Sequence, residues 1–190
     1  MSRWTRLSAR VRIRVWLLLG RPQAALSEVE ALLAQEPTDQ HALATAAHVL
    51  ASLGRESEAL AMQRRLVVEA PTEAGHWFNL GFLAEALGLL EESEQAFRAA
   101  LDRAPDLDRA WYGLGLCLIR RGRLDDAAEA LRKNTELQPM SPYGWYQLAR
   151  VHVDRQEPDE AAKIIRHLRG FEPKVAAQLE RETGLGVAQT

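Results

Sequence analysis

Five prolines, Pro37, Pro71, Pro105, Pro139 and Pro173, stand 34 residues apart, and Gly20, Gly54, Gly88 and Gly122 repeat at the same interval, each 17 residues before a proline. Two independent punctuation marks sharing one period require an array of equivalent units. A glycine supplies the left-handed residue that ends a helix, and a proline follows a helix it cannot continue. Each period therefore holds two helices. After the prolines come Thr38, Thr72, Asp106 and Ser141, whose side chains can accept from the free amides of a helix start, while Pro22, Pro142 and Pro158 stand at favoured first-turn positions. Between the marks apolar residues recur at three and four, as in Trp111, Leu114, Leu118 and then Leu124, Ala127, Ala128, Leu131.

The segments Trp77-Phe78-Asn79-Leu80-Gly81, Trp111-Tyr112-Gly113-Leu114-Gly115 and Trp145-Tyr146-Gln147-Leu148-Ala149 resemble the signature opening of a tetratricopeptide repeat. The small-then-bulky pair of the second helix follows in register as Ser93 and Phe97, Ala127 and Leu131, Ala161 and Ile165. The resemblance implies an all-α fold, a right-handed solenoid of helix-turn-helix units, in one domain over 1–190. Repeats are expected at 6–39, 40–73, 74–107, 108–141 and 142–175, with a closing helix at 174–183 and a tail at 184–190. Ten repeat helices and a closing helix leave no interval for a strand. The first two repeats depart from the pattern, with Ala9 and Leu43 at the tryptophan place and Arg12 at that of leucine, as an end cap allows. Trp77, Trp111 and Trp145 share one address and are expected to be equivalent and largely buried.

The formal charge of −2 conceals an asymmetry: Arg3, Arg6, Arg10, Arg12, Arg14 and Arg21 precede the first acid, Glu28, and the remainder carries −8. Arg3, Arg6, Arg10 and Arg14 form one basic stripe on a helix, with Trp4, Leu7, Val11, Val15 and Leu18 on an adjoining apolar face able to pack on the second repeat. The stripe suits an acidic protein surface first. Membrane-surface contact through it is conceivable but not expected, and neither nucleic acid nor a small-molecule substrate is expected. Only Lys133, Lys163 and Lys174 among the 24 basic residues are lysine, which fits a GC-rich bacterial coding bias. One cysteine, Cys117, excludes an intrachain disulfide framework and reads as a buried small hydrophobe. The apolar run Val15–Leu19 is too short for a membrane span, so a soluble, cytoplasmic chain is expected.

In this family the first helices line a concave groove, and the resemblance assigns to it Arg10, Arg14, His41, His48, Phe78, Asn79, Phe82, Glu85, Arg109, Tyr112, Leu116, Arg120, Tyr143, Tyr146, Gln147, Arg150 and Asp154. Their spacing also puts each set on one helical face. Aromatics with arginine are the chemistry of interface hot spots. Phe78, Phe82 and Tyr112 could instead fill space between helices. Chaperone-binding members use a clamp of lysine, arginine and asparagine; Asn79 and Arg109 match two of its places, but Ala44, His48 and Gly113 do not. Gly75, Gly113 and Gly144 interrupt first helices at a cost of about 1 kcal/mol each, which a closely packed neighbour or a ligand backbone must offset. His41 and His48 lie about 10 Å apart along the axis, too far to share a metal unaided. No phosphate-cradling loop, metal cluster or catalytic grouping is present, so no catalytic residue, metal or cofactor is assigned. The expected function is a non-enzymatic interaction adaptor whose groove, in repeats three to five, binds a carboxylate-bearing, apolar segment of a protein or peptide. The alternative is a fixed structural subunit of a larger assembly, docked by its ends or convex face.

Overall fold

The computed structural model describes residues 3–185, and side chains from residue 9 onward. Among these residues there are eleven α-helices and no strand: α1 (Arg3–Leu18), α2 (Pro22–Gln35), α3 (Gln40–Ser52), α4 (Glu56–Glu69), α5 (Ala74–Ala86), α6 (Leu90–Arg103), α7 (Asp108–Arg120), α8 (Leu124–Leu137), α9 (Pro142–Asp154), α10 (Pro158–Arg169) and α11 (Pro173–Thr183). The closing helix starts on its proline, and the expected tail lies outside the described residues beyond Leu185. The chain forms two compact units, Met1–Arg103 and Ala104–Thr190.

Helix ends follow the punctuation. Gly20, Gly54, Gly88 and Gly122 have φ of 65°, 73°, 76° and 72°, and the fifth such address is held by Gln156 at φ 62°. Pro22, Pro142, Pro158 and Pro173 open their helices. The capping expectation needs correction. The N-caps of α3, α5 and α7 are Asp39, Glu73 and Leu107, one residue beyond Thr38, Thr72 and Asp106. Ser141 does cap α9 by position, but without a side-chain bond; only Asp39 accepts one, from the Ala42 N–H at 2.9 Å.

Within a helix pair, a first-helix residue without a side chain lies under a bulky second-helix one. A Cβ on Gly81 would stand 2.8 Å from the Phe97 ring, and one on Gly115 2.7 Å from Leu131. Asn134 of α8 donates to the Asp108 carbonyl of its pair partner α7 at 2.9 Å, and between pairs its Oδ1 would be 2.1 Å from a Cβ on Gly144 of α9. Gly144 is thus a packing glycine. Gly75 is not: its Cβ would meet nothing within 4 Å, so no neighbour explains it.

The three signature tryptophans hold equivalent, partly buried positions, in keeping with their shared address. Each indole N–H donates to the carbonyl of the proline six residues earlier, Trp77 to Pro71, Trp111 to Pro105 and Trp145 to Pro139, all at 2.8 Å. The amphipathic ring covers apolar surface while its polar edge ties the helix to the preceding turn, and that bond keeps it near the surface. Cys117 is fully buried, as expected.

A left-handed non-glycine residue costs about 1–2 kcal/mol, and glycine's greater unfolded-state freedom returns about half of that. Gln156→Gly is therefore expected to raise stability by about 0.5–1 kcal/mol in denaturant melts. Gly75→Ala should also stabilise slightly, by about 0.5 kcal/mol, whereas Gly144→Ala should cost about 1–3 kcal/mol by displacing Asn134 from the Asp108 carbonyl. Equal effects of the two alanines would contradict the packing described.

Candidate partner-binding faces

In the first unit the helices α1, α3 and α5 carry two clefts. The first, about 350 Å³, lies between α1 and α3 and is lined by Arg10, Val11, Ile13, Arg14, Leu17, His41 and Thr45. The second, about 260 Å³, lies between α3 and α5. Its α3 wall is Ala44, Ala47, His48 and Ala51; Leu66 and Leu83 supply apolar depth, and Asn79 and Phe82 stand on the α5 side. Small side chains at three and four spacing leave this slot open. Gln63 also lines it, at the repeat address held elsewhere by Phe97, Leu131 and Ile165, with its amide donating to the His76 carbonyl at 2.7 Å.

The assigned residues separate on this geometry. Arg10, Arg14, His48, Asn79 and Phe82 line the two clefts, and Phe82 is 59% exposed. Phe78 is half-buried, its ring 5.9 Å from Phe97, and Glu85 is half-buried near the end of α5. The alanine wall is absent from the sequence-based assignment, although the spacing of Ala44, Ala47 and Ala51 was available to show it.

In the second unit, Arg109, Tyr112 and Arg120 sit on α7, with both arginines exposed and the tyrosine half-buried. Tyr143 is 70% exposed at the start of α9. Tyr146 is half-buried, and its hydroxyl donates to Glu182 of α11 at 2.6 Å while the Arg150 guanidinium lies 5.9 Å from its ring centre. The bond to the Glu182 carboxylate holds the Tyr146 hydroxyl above its ordinary pKa, with burial adding to it and Arg150 opposing. The same bond, with one from Gln178, holds Glu182 below the usual range. Part of the α9 face is thus engaged by the closing helix, a contact 36 residues away in sequence.

Electrostatics fasten the first unit. Arg10 reaches Asp39 at 2.9 Å, Arg12 grips Glu28 through two bonds of 3.0 and 2.8 Å, and Arg64 of α4 grips Glu92 of α6 through two of 2.7 and 2.6 Å. Burial pushes the Asp39 carboxyl up, but the Ala42 N–H and Arg10 outweigh it and leave it below its ordinary value. Glu28 and Glu92 are held low by their arginines.

Profiles of the tetratricopeptide repeat match residues 45–108, 78–142 and 142–167. The chain belongs to the tetratricopeptide repeat family. Similar solved structures include MamA from Desulfovibrio magneticus RS-1, 22% identical, covering 96% of this chain and 98% of that one with a TM-score of 0.80. YrrB, a tetratricopeptide protein with an unusual peptide-binding site, is 16% identical and covers 89% and 88% with a TM-score of 0.80. A thermophilic tetratricopeptide protein of Thermus thermophilus is 25% identical and covers 92% and 94% with a TM-score of 0.60. No curated protein matches. The fold supports a protein–protein interaction scaffold in general, and the family is typically non-enzymatic.

Asp39→Ala removes both a helix cap and the Arg10 partner, and should cost about 1–2 kcal/mol in thermal melts. Because the folded-state pKa of Asp39 is depressed, its contribution is fully present above the unfolded carboxylate value of about 4 and disappears as pH falls through the folded value. The variant's deficit should therefore shrink in melts below that pH; a deficit constant down to strong acid would contradict the assignment.

Proposed function

We propose that the chain is a non-enzymatic adaptor that holds an acidic, apolar segment of a protein partner on the faces built from its first helices. The observation that carries this reading is the α3–α5 cleft, where an alanine wall faces an exposed Phe82 and Asn79. A slot of that kind accepts an apolar side chain, the Asn79 amide can bond an extended backbone, and the aromatic covers what has entered. Cationic or ionisable groups, Arg14, His41 and His48, accompany the two clefts and favour carboxylates, while Arg10 is held by Asp39. On the second unit Arg109, Tyr112, Arg120, Tyr143 and Arg150 supply the same combination of aromatic area and guanidinium donors. Tyr146 serves there as a bridge to α11 as well as a contact surface.

A displayed random-peptide library selected on the full chain should return sequences combining carboxylates with an apolar anchor. Ala51→Leu, which fills the slot, and Phe82→Ala should each weaken a selected peptide by roughly tenfold or more. Raising salt from about 0.05 M to about 0.5 M should weaken it further, because exposed charges are then screened beyond a few ångströms. Peptides indifferent to both substitutions and to salt would remove this reading.

A further inference from the structure

Helix α1 has two apolar faces, and only one is used. Ala9 and Ile13 are buried and Trp16 is half-buried, all on the side turned to the protein. Trp4, Leu7, Val11, Val15 and Leu18 were expected to form the packed face; the side chains of Trp4 and Leu7 lie outside those described, and the other three do not bear the expectation out. Val11, Val15 and Leu18 are instead 56%, 45% and 81% exposed, followed by Leu19 at 61%. At about 100° per residue, Val11, Val15 and Leu18 share an arc of roughly 60°; Arg14 and Arg10 flank it on one side, Arg12 on the other, and Ala9 and Ile13 lie opposite. α1 packs against α2, and on its α3 side Val11 borders the α1–α3 cleft; Val15, Leu18 and Leu19 are exposed and line neither cleft of this unit. An aliphatic strip of this kind between arginines has the pattern of a helix lying in a bilayer interface.

The partner class follows from how the arginines are used. Arg10 and Arg12, which could recognise carboxylates directionally, are committed to Asp39 and Glu28 of the same chain. The outward strip is left with non-directional apolar area beside the exposed Arg14, in a segment whose sequence holds six arginines and no acid before Glu28. A protein surface would be recognised through oriented donors on that face; an anionic headgroup layer needs only charge and apolar depth. No described helix is long and apolar enough to cross a membrane, so the contact is one of lying on the surface. We propose that the outward face of α1, Val15 and Leu18 with Leu19, is a reversible docking surface for an anionic lipid bilayer. It is separate from the α3–α5 cleft on which the adaptor reading rests.

The test is co-sedimentation of the full chain with phosphatidylcholine vesicles, with and without phosphatidylglycerol. Binding is expected to the anionic vesicles, to weaken in high salt, and to fall roughly tenfold in Val15→Glu/Leu18→Glu. Circular dichroism melts should be nearly unchanged, because both side chains are exposed. If the double variant melts early, Leu18→Ser, at the most exposed position, replaces it and should still weaken binding. No sedimentation with anionic vesicles, equal sedimentation with neutral ones, or binding undiminished in variants of normal stability would overturn the proposal. So would self-association in sedimentation equilibrium, or capture of an acidic peptide, that the variants abolish while vesicles are ignored; the face would then belong to a second copy or to a protein.

Discussion

The array depends on one steric constraint: the two helices of a unit approach closely enough that one must forgo a side chain where the other places a large one. At the eighth and twenty-fourth places of a repeat these are Gly81 with Phe97 and Gly115 with Leu131, in direct contact, and Ala149 with Ile165 at the same addresses. Interiors pack at near-crystalline density, so each such pair sets the distance and rotation of its helices. The tryptophan-to-proline bond then sets where the first helix begins relative to the turn before it.

Where that pairing is altered, surface opens. In the second repeat the addresses hold Ala47 and Gln63, a small residue against a polar one. Gln63 is buried, and its amide is drawn to the His76 carbonyl, since a buried amide left unpaired is costly. The α3–α5 slot lies beside it. The same economy explains α1: in the first repeat the addresses hold Ile13 and Val29, both buried, and the inward strip from Ala9 to Trp16 is what the helix needs for packing. The outward Val15 and Leu18 are exposed and add little to that core.

Much of this was legible in the residues. Period, helix number, the left-handed glycines and the close-packed Gly81 and Gly115 follow from local chemistry repeated 34 residues apart, and repetition is a signal that survives without any knowledge of packing. Less local features were misread. Three of the four helix caps fell one residue later than the polar residues after the prolines suggested, because the turn uses that residue itself. Gly75 and Gly144 look alike in sequence, yet only Gly144 is pressed by a neighbour, and that neighbour, Asn134, is on another helix. Gln156 shows the reverse: its address demanded a left-handed residue and the chain adopts one without a glycine.

For the functional faces the division is sharper. Sequence alone determined which side chains share a helical face, since that depends only on 3.6 residues per turn. It could not determine which of two apolar faces on α1 is covered, nor that Tyr146 is held by Glu182, nor that Arg10 and Arg12 answer to Asp39 and Glu28. Those outcomes depend on the relative rotation of helices, to which distant residues contribute jointly. A helical period names the faces of a helix; only tertiary packing decides which of them meets the protein and which meets solvent.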